Sequence, residues 1–471
     1  MRFLPALFGA AVGLAACGGG QQIASGGVGE GGTGIVIGTT TGFGSVVVDG
    51  AAWDDRAARI EVESDPRAPT ELADLKLGQR VELEYAQPDV ARRIRIEADV
   101  IGPIAAIDAA AGQFTVAGQT IRINAEPLAG PVTLFEGAAD LAALAAGDIV
   151  EIHGAPRFDA AAGRSVMLAS RIDKRAALSA GMIRIAGPVH DYDPATGNFR
   201  LGSLTVAAGA ALVTPANRTL TNGASVVVWG DAPLGAGPTL AARFVRIRDR
   251  ASPGREVQVA GPVSRFDIAS ARFEIGDIAV DARAATIEPA SQMLADGRYV
   301  VVKGLVGGDG TLLASKVRIR RPGAGDIEID LRGTVTDYVS AADFRVRGVR
   351  IDAAAARLIA CPSAGLADGL YVEVEGGVLN GRVIASRVSC RPEPGAGATV
   401  QRRGRADNVD TASRTFSLTP ATGVPITAVW TETTLFVAPL APQALSGREV
   451  DVTGHFGAGG IFTARRIELR N

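Results

Sequence analysis

The stretch Gly297-Arg-Tyr-Val-Val-Val-Lys-Gly304, with Ala314-Ser-Lys316-Val317 behind it, decides how this chain is read. Val300 and Val302 alternate with Val301 and Lys303, a period of two, which is the mark of a strand. The pattern Gly-x-x-Val-x-Val-x-Gly returns at Gly147–Gly154, Gly223–Gly230, Gly369–Gly376 and Gly447–Gly454, and at Gly78–Tyr85 without its last glycine. Behind each copy comes Ala-x-[Arg/Lys]-[Ile/Val/Phe], at Ala91–Ile94, Ala169–Ile172, Ala241–Phe244, Ala385–Val388 and Ala464–Ile467. Ahead of each comes a strand opened by glycine: Gly34-Ile35, Gly102-Pro-Ile104, Gly187-Pro-Val189, Gly261-Pro-Val263, Gly333-Thr-Val335 and Gly404-Arg-Ala406. Three signatures in fixed order, six times over, make an internal repeat of about 70–85 residues. That period is long enough for each copy to be a domain.

Between the signatures lie further alternating runs: Phe114-Thr-Val116, Phe199-Arg-Leu201, Phe273-Glu-Ile275, Phe344-Arg-Val346 and Phe416-Ser-Leu418. An aspartate precedes each by six or seven residues (Asp108, Asp193, Asp267, Asp337, Asp410), where its carboxylate can cap a turn. A third strand follows, as in Ile121-Arg-Ile123 and Val349-Arg-Ile351. Next come small and apolar residues such as Asp140-Leu-Ala-Ala-Leu144, enough for a turn or two of helix. The expected fold is all-β: a tandem array of about six small five-stranded antiparallel modules, built as OB-like barrels, with curled single sheets as the alternative. The modules fall at residues 33–97, 98–176, 177–251, 252–324, 325–396 and 397–471.

The first copy carries Gly42-Phe-Gly-Ser-Val-Val-Val-Asp-Gly50. With the later Gly-x-x-Val-x-Val runs, this resembles the bacterial lipoproteins built from repeated copies of domain of unknown function 5666. The resemblance covers nearly all of residues 33–471, although the later copies lack the Gly-Phe-Gly-Ser run. It implies an architecture and a location, and brings no activity with it.

The N-terminus points to the same location. Arg2 is a short positive region, and Leu4 to Ala16 is an unbroken small and apolar run, too short to span a bilayer. It ends in Leu14-Ala-Ala-Cys17, the pattern cut ahead of a lipidated thiol. Residues 1–16 are therefore expected to be a lipoprotein signal peptide, Cys17 the lipidation site, and residues 17–32 a Gly-rich tether. Gly18 in place of an aspartate directs the expectation to the outer membrane. Gly27-x-Gly29-x-Gly31 in the tether has no strand before it and no helix after it, which argues against a phosphate loop.

Net charge is −2, which gives no electrostatic reason for nucleic acid. Aromatic residues are 5%, too few for the stacking platforms of single-strand binders. The histidines His153, His190 and His455 fall at different places in different copies. His153 shares its strand position with Glu84, Trp229, Lys303, Glu375 and Thr453, a variety that suggests an outward, solvated side chain. Asp191-Tyr-Asp193-x-x-Thr196-Gly197 lacks the ligand count of a calcium loop and fits a capped turn better. Glu82, Glu84, Glu373, Glu375 and Asp451 could form an acid/base site, but pairing across strands with Arg93, Arg387 or Arg466 suits them more. The cation of the Ala-x-[Arg/Lys] signature (Arg93, Arg171, Arg243, Lys316, Arg387, Arg466) guards a strand edge or forms a basic ladder for acidic polysaccharide or lipid headgroups.

No catalytic residue, metal ligand or cofactor is expected. The functional expectation is a membrane-anchored, non-catalytic envelope lipoprotein that binds or spaces a protein or polysaccharide partner. The alternative is an envelope enzyme whose site lies between modules. With Cys17 used for lipid, Cys361 and Cys390 remain, and an exported protein can join them as a disulfide. Two buried free thiols are the other reading.

Overall fold

The computed structural model describes residues 34–159, 163–232, 239–248, 250, 252–320, 329–379, 382–391, 397–421 and 424–470. Cys17, the signal segment and the tether lie outside them. Among the described residues the chain is all-β, with five short 3-10 turns and no α-helix. Six repeats span Gly34–Ile96, Val100–Arg175, Met182–Ile247, Glu256–Ile319, Ile329–Arg391 and Thr399–Leu469 by their outermost strands.

Repeat four shows the plan. Its first strand, Glu256–Asp267, pairs antiparallel with the second, Arg272–Ile275, which pairs with the third, Ile278–Asp281. The third runs parallel to the last, Leu312–Ile319. The last pairs with the fourth, Tyr299–Val306, and the fourth returns to the first. In repeat six the same path closes a five-stranded barrel. The helix expected after the third strand is absent. A short strand parallel to the last one takes its place, as at Leu134–Glu136, Thr286–Glu288 and Arg357–Ile359. Asp140 caps only one 3-10 turn, accepting from the Ala142 amide at 2.9 Å.

Both glycines of the signature have a steric cause. The first opens the fourth strand from a left-handed turn, with φ between 75° and 89° at Gly78, Gly147, Gly223, Gly297, Gly369 and Gly447. The second sits on a β-bulge facing the alanine of the next signature, as Gly304 faces Ala314 and Gly376 faces Ala385. A Cβ there would run into a backbone carbonyl, Leu313 O at Gly304 and Ile384 O at Gly376. In repeat three the partner of Gly230 is Ala242, one residue later than the spacing suggests. The position of the recurrent cation is then held by Phe244, opposite Trp229, and Arg243 falls outside the series.

A second device recurs in the first strand. Asp191, Arg265 and Asp337 take left-handed φ at a bulge, and the amide of the next residue is turned toward a distant side chain. Tyr192, Phe266 and Tyr338 donate to Asn222, Asp296 and Asp368 at 2.8–2.9 Å, each thirty residues on. Asp337 therefore belongs to a bulge, not to the turn assigned from sequence. Ser340 caps that turn, while Asp108, Asp193, Asp267 and Asp410 cap theirs as expected.

The repeats are not strung end to end. All ten residues of Gly34–Phe43 are buried, because this strand is shared. Gly34–Ile37 runs parallel to Glu256–Val259 of repeat four, and Gly42-Phe43 parallel to Asp330-Leu331 of repeat five. Repeat two docks through Ser170 Oγ, which donates to Gly78 O at 2.7 Å. Repeat three docks through Arg250 on Glu82 (3.2 Å), and repeat six through Arg466 on Asp74 (3.2 Å). Repeat one thus touches all five others. Gly42 is required by this crowding, since a Cβ there would meet Asp330 O, which explains why the later copies lack the run around it.

Candidate functional site

The histidine and carboxylate positions gain their meaning from these seams. His153 points away from its own ring, but repeat one covers it, so it is 0% exposed and the expectation of a solvated side chain is corrected. Its Nε2 lies 3.0 Å from Glu151 and its Nδ1 3.2 Å from the Glu97 carbonyl. Trp229 at the same position is likewise buried, under Arg184 and Arg246. Burial opposes ionisation of Glu151, but its hydrogen bond to His153 and the charges of His153 and Arg175 outweigh it and hold the carboxyl at about 2.

A buried charge cluster joins repeats one, three and four. Arg184 lies 3.2 Å from Glu97, and Arg248 is paired with the same carboxylate. Arg250 bridges Glu82 (3.2 Å) and Asp277 (3.4 Å). Burial alone would raise Glu97. Arg248, Arg184, Arg250 and Arg95 around it reverse that and hold it well below the usual carboxylate range.

The signature cations are all engaged. Arg93 reaches Glu61 at 3.4 Å, Lys316 reaches Glu288 at 3.0 Å, and Arg387 is paired with Glu375. Arg171 is paired with Asp173 at 2.7 Å, Arg243 with Asp231, and Arg466 with Asp74 and Glu468. A free basic ladder is therefore not what these residues form. Asp451 pairs with Arg403 at 2.7 Å and not with Arg466. The remaining carboxylates are partnered too: Glu84 with Arg92, and Glu373 with Arg391 and Arg332. Asp193 caps its turn through the Ala195 amide at 2.9 Å, so the calcium-like run is a turn. Among the described residues no cluster of three His, Cys, Asp or Glu is arranged to hold a metal ion.

A cleft of about 650 Å³ lies between repeats one and six. Asp54 and Arg56 line one wall; Arg414, Glu432, His455 and Arg465 line the other, with the hydroxyls of Thr431, Thr433 and Thr463. Arg56 clasps Asp54 at 2.5 Å, Arg414 pairs with Glu432 at 3.3 Å, and Arg465 pairs with Asp55. Burial first, then Arg56 and Arg465, push His455 below its ordinary pKa. The cleft offers charge-balanced donors and acceptors. Sequence reasoning missed it because its two walls are about 400 residues apart, as Asp55 and Arg465 are, separated by 410.

Cys361 and Cys390 lie at disulfide distance, with Cα atoms 4.7 Å apart. Cys390 is buried in the core that repeats one and five share. Closing a loop of this length is worth about 3–4 kcal/mol in the chain-entropy model. Cys361→Ala with Cys390→Ala should lower the denaturant midpoint of repeat five accordingly. Intact-mass analysis of unreduced, alkylated protein checks the bond itself: two free thiols would contradict it.

No curated protein matches the chain. A solved structure titled drosophila Unr CSD456 is similar at 13% identity, over 48% of this chain and 99% of that one, with a TM-score of 0.14. The family described as domain of unknown function 5666 matches at residues 101–173, 260–318 and 332–389. These segments are the bodies of repeats two, four and five, and each holds the ring of strands described above. The chain is accordingly one that carries domain of unknown function 5666 as a repeated module.

Proposed function

We propose that this chain is a lipid-anchored, non-catalytic scaffold of the cell envelope, held at the outer membrane through Cys17 and presenting six OB-like barrels, one in each of the ranges set out from the sequence. The strand order first-second-third-last-fourth, returning to the first, supports the OB-like reading. The observation that carries the scaffold reading is that the charged residues at the seams are spent on one another, fastening repeats to repeats. Catalysis would need one repeat to stand apart with convergent titratable groups. The partner is a protein or a polysaccharide of the envelope, and nucleic acid is not among the partners.

Two results test this. Cys17→Ser should abolish palmitate labelling and move the protein from the membrane to the soluble fraction; a mutant that stays membrane-bound contradicts the anchor. Wild-type protein extracted gently from native membranes should bring a partner with it in fixed ratio. Bare, monomeric protein contradicts the scaffold.

A further inference from the structure

The cleft between repeats one and six, about 650 Å³, falls in the range of small-ligand pockets, about 300–1,000 Å³. Its repeat-six wall is unlike the same place in three sister repeats. There a four-residue stretch separates the third strand from the short run parallel to the last strand, and the paired residues at either end fix the alignment. In repeat three the stretch is Ala208–Ala211, between the pairs Ala207–Ala241 and Leu212–Phe244. In repeat four it is Ala282–Ala285, between Asp281–Leu313 and Thr286–Lys316. In repeat five it is Ala353–Ala356, between Asp352–Ile384 and Arg357–Arg387. Every residue of these stretches is alanine except Gly209 and Arg283. In repeat six the stretch reads Thr431-Glu-Thr-Thr434, between Trp430–Ala464 and Leu435–Arg466. Thr431, Glu432 and Thr433 all line the cleft. Methyl groups there give way to hydroxyls and a carboxylate.

Charge on the walls cancels. Arg56 clasps Asp54, Arg414 pairs with Glu432, and Arg465 pairs with Asp55. An ion of either sign therefore finds no unmatched counter-charge. The paired groups keep bonding capacity, because a guanidinium has more N–H donors than one carboxylate takes, and a carboxylate has lone pairs to spare. Two neighbouring hydroxyls match such a clasp: one donates to the carboxylate while the other accepts from the guanidinium. Ala57, Val90 and Ala464 add apolar surface for the C–H face of a ring. The side chains of Arg56, Arg414 and Glu432 are 53%, 46% and 82% exposed, so the cleft is open and a polymer can lie along it.

Resting on the reading of this chain as a scaffold with an envelope partner, we propose that the cleft binds an uncharged glycan. Sugar hydroxyls meet Asp54 and Arg56 on one wall, and Glu432 with Thr431, Thr433 and Thr463 on the other.

Maltoheptaose, cellohexaose and mannohexaose are the neutral probes, and hexagalacturonate is the acidic one. Isothermal titration into the full chain, kept in a detergent without a sugar headgroup, should show one site for at least one neutral probe. Hexagalacturonate should bind more weakly or not at all. Affinity for the neutral probe should be the same at low and moderate salt, because no net charge is matched. Glu432→Ala should weaken it at least about tenfold, the worth of one hydrogen bond to a charged group. The exposure of Glu432 leaves the core untouched by this change. Thr463→Val, which removes one hydroxyl and keeps the shape, is the second variant and should weaken binding roughly threefold. No binding of any neutral probe, equal or tighter binding of hexagalacturonate, a salt-sensitive affinity, or full affinity in both variants would each overturn the proposal. A protein that leaves native membranes with wild type and Glu432→Ala alike, while no neutral probe binds, would overturn the glycan cleft and leave the scaffold standing.

Discussion

Phe43→Ala is expected to remove about 3–5 kcal/mol of stability, the usual cost of emptying a large buried aromatic site. Phe43 is 2% exposed and ends the strand that repeats four and five both pair with. Its ring packs in a core that repeats one and five build jointly, together with Leu331, Val335 and Phe344. Truncation therefore opens a cavity between repeats and removes the platform under Arg347. The effect should register far from residue 43: amides of Ile329–Ser340 should lose hydrogen-exchange protection along with those of repeat one. Loss confined to residues near Phe43, with repeat five unchanged, would show that the two repeats do not share a core.

Glu97→Leu should cost a similar amount, about 3–5 kcal/mol, because it strands Arg184 and Arg248 without their carboxylate. Their side chains are 5% and 8% exposed, so water cannot take over the role. Replacing all three together, with Arg184→Met and Arg248→Met, should recover most of the loss. The same cluster sets the acid limit. A carboxyl whose folded pKa is depressed adds stability that is fully present above its unfolded pKa, about 4.3. That stability drains away as pH falls through the folded value, about 2 at Glu151 and well below normal at Glu97. Wild-type stability should hold above about pH 4.5 and fall steeply toward pH 2. Glu97→Gln should flatten that fall, and an equally steep acid limb in the variant would place the sensitivity elsewhere.

The repeat itself was legible because its constraints are local. A left-handed turn and a bulge both demand glycine, so Gly297 and Gly304 announce the fourth strand wherever they recur. Register in repeat three was not legible, since Ala241-Ala242 offers two alignments and a slip of one residue reverses every side chain. The burial of His153 and Trp229 was hidden for another reason. Both face outward from their own rings, and only the packing of one repeat on another covers them. Period-two reading distinguishes the two faces of a strand, but it carries no information on which outward faces meet. One signal was present and passed over. Gly34, Gly38 and Gly42 recur every fourth residue along one face of the first strand, where Tyr85, Asp49 and the Asp330 carbonyl crowd in. Such spacing marks a strand that other chain segments approach closely. The cleft beside His455 left no trace in any single repeat, since each wall supplies only ordinary strand residues.

The central claim is that the other five repeats pack around the first repeat as one body. Small-angle X-ray scattering from the soluble chain beginning after Cys17 tests it most directly. A compact body of this length has a radius of gyration of about 22–25 Å, whereas six beads strung in line exceed about 35 Å. The account predicts the smaller value, unchanged between low and moderate salt because the seams are buried. A radius near the larger value would contradict it.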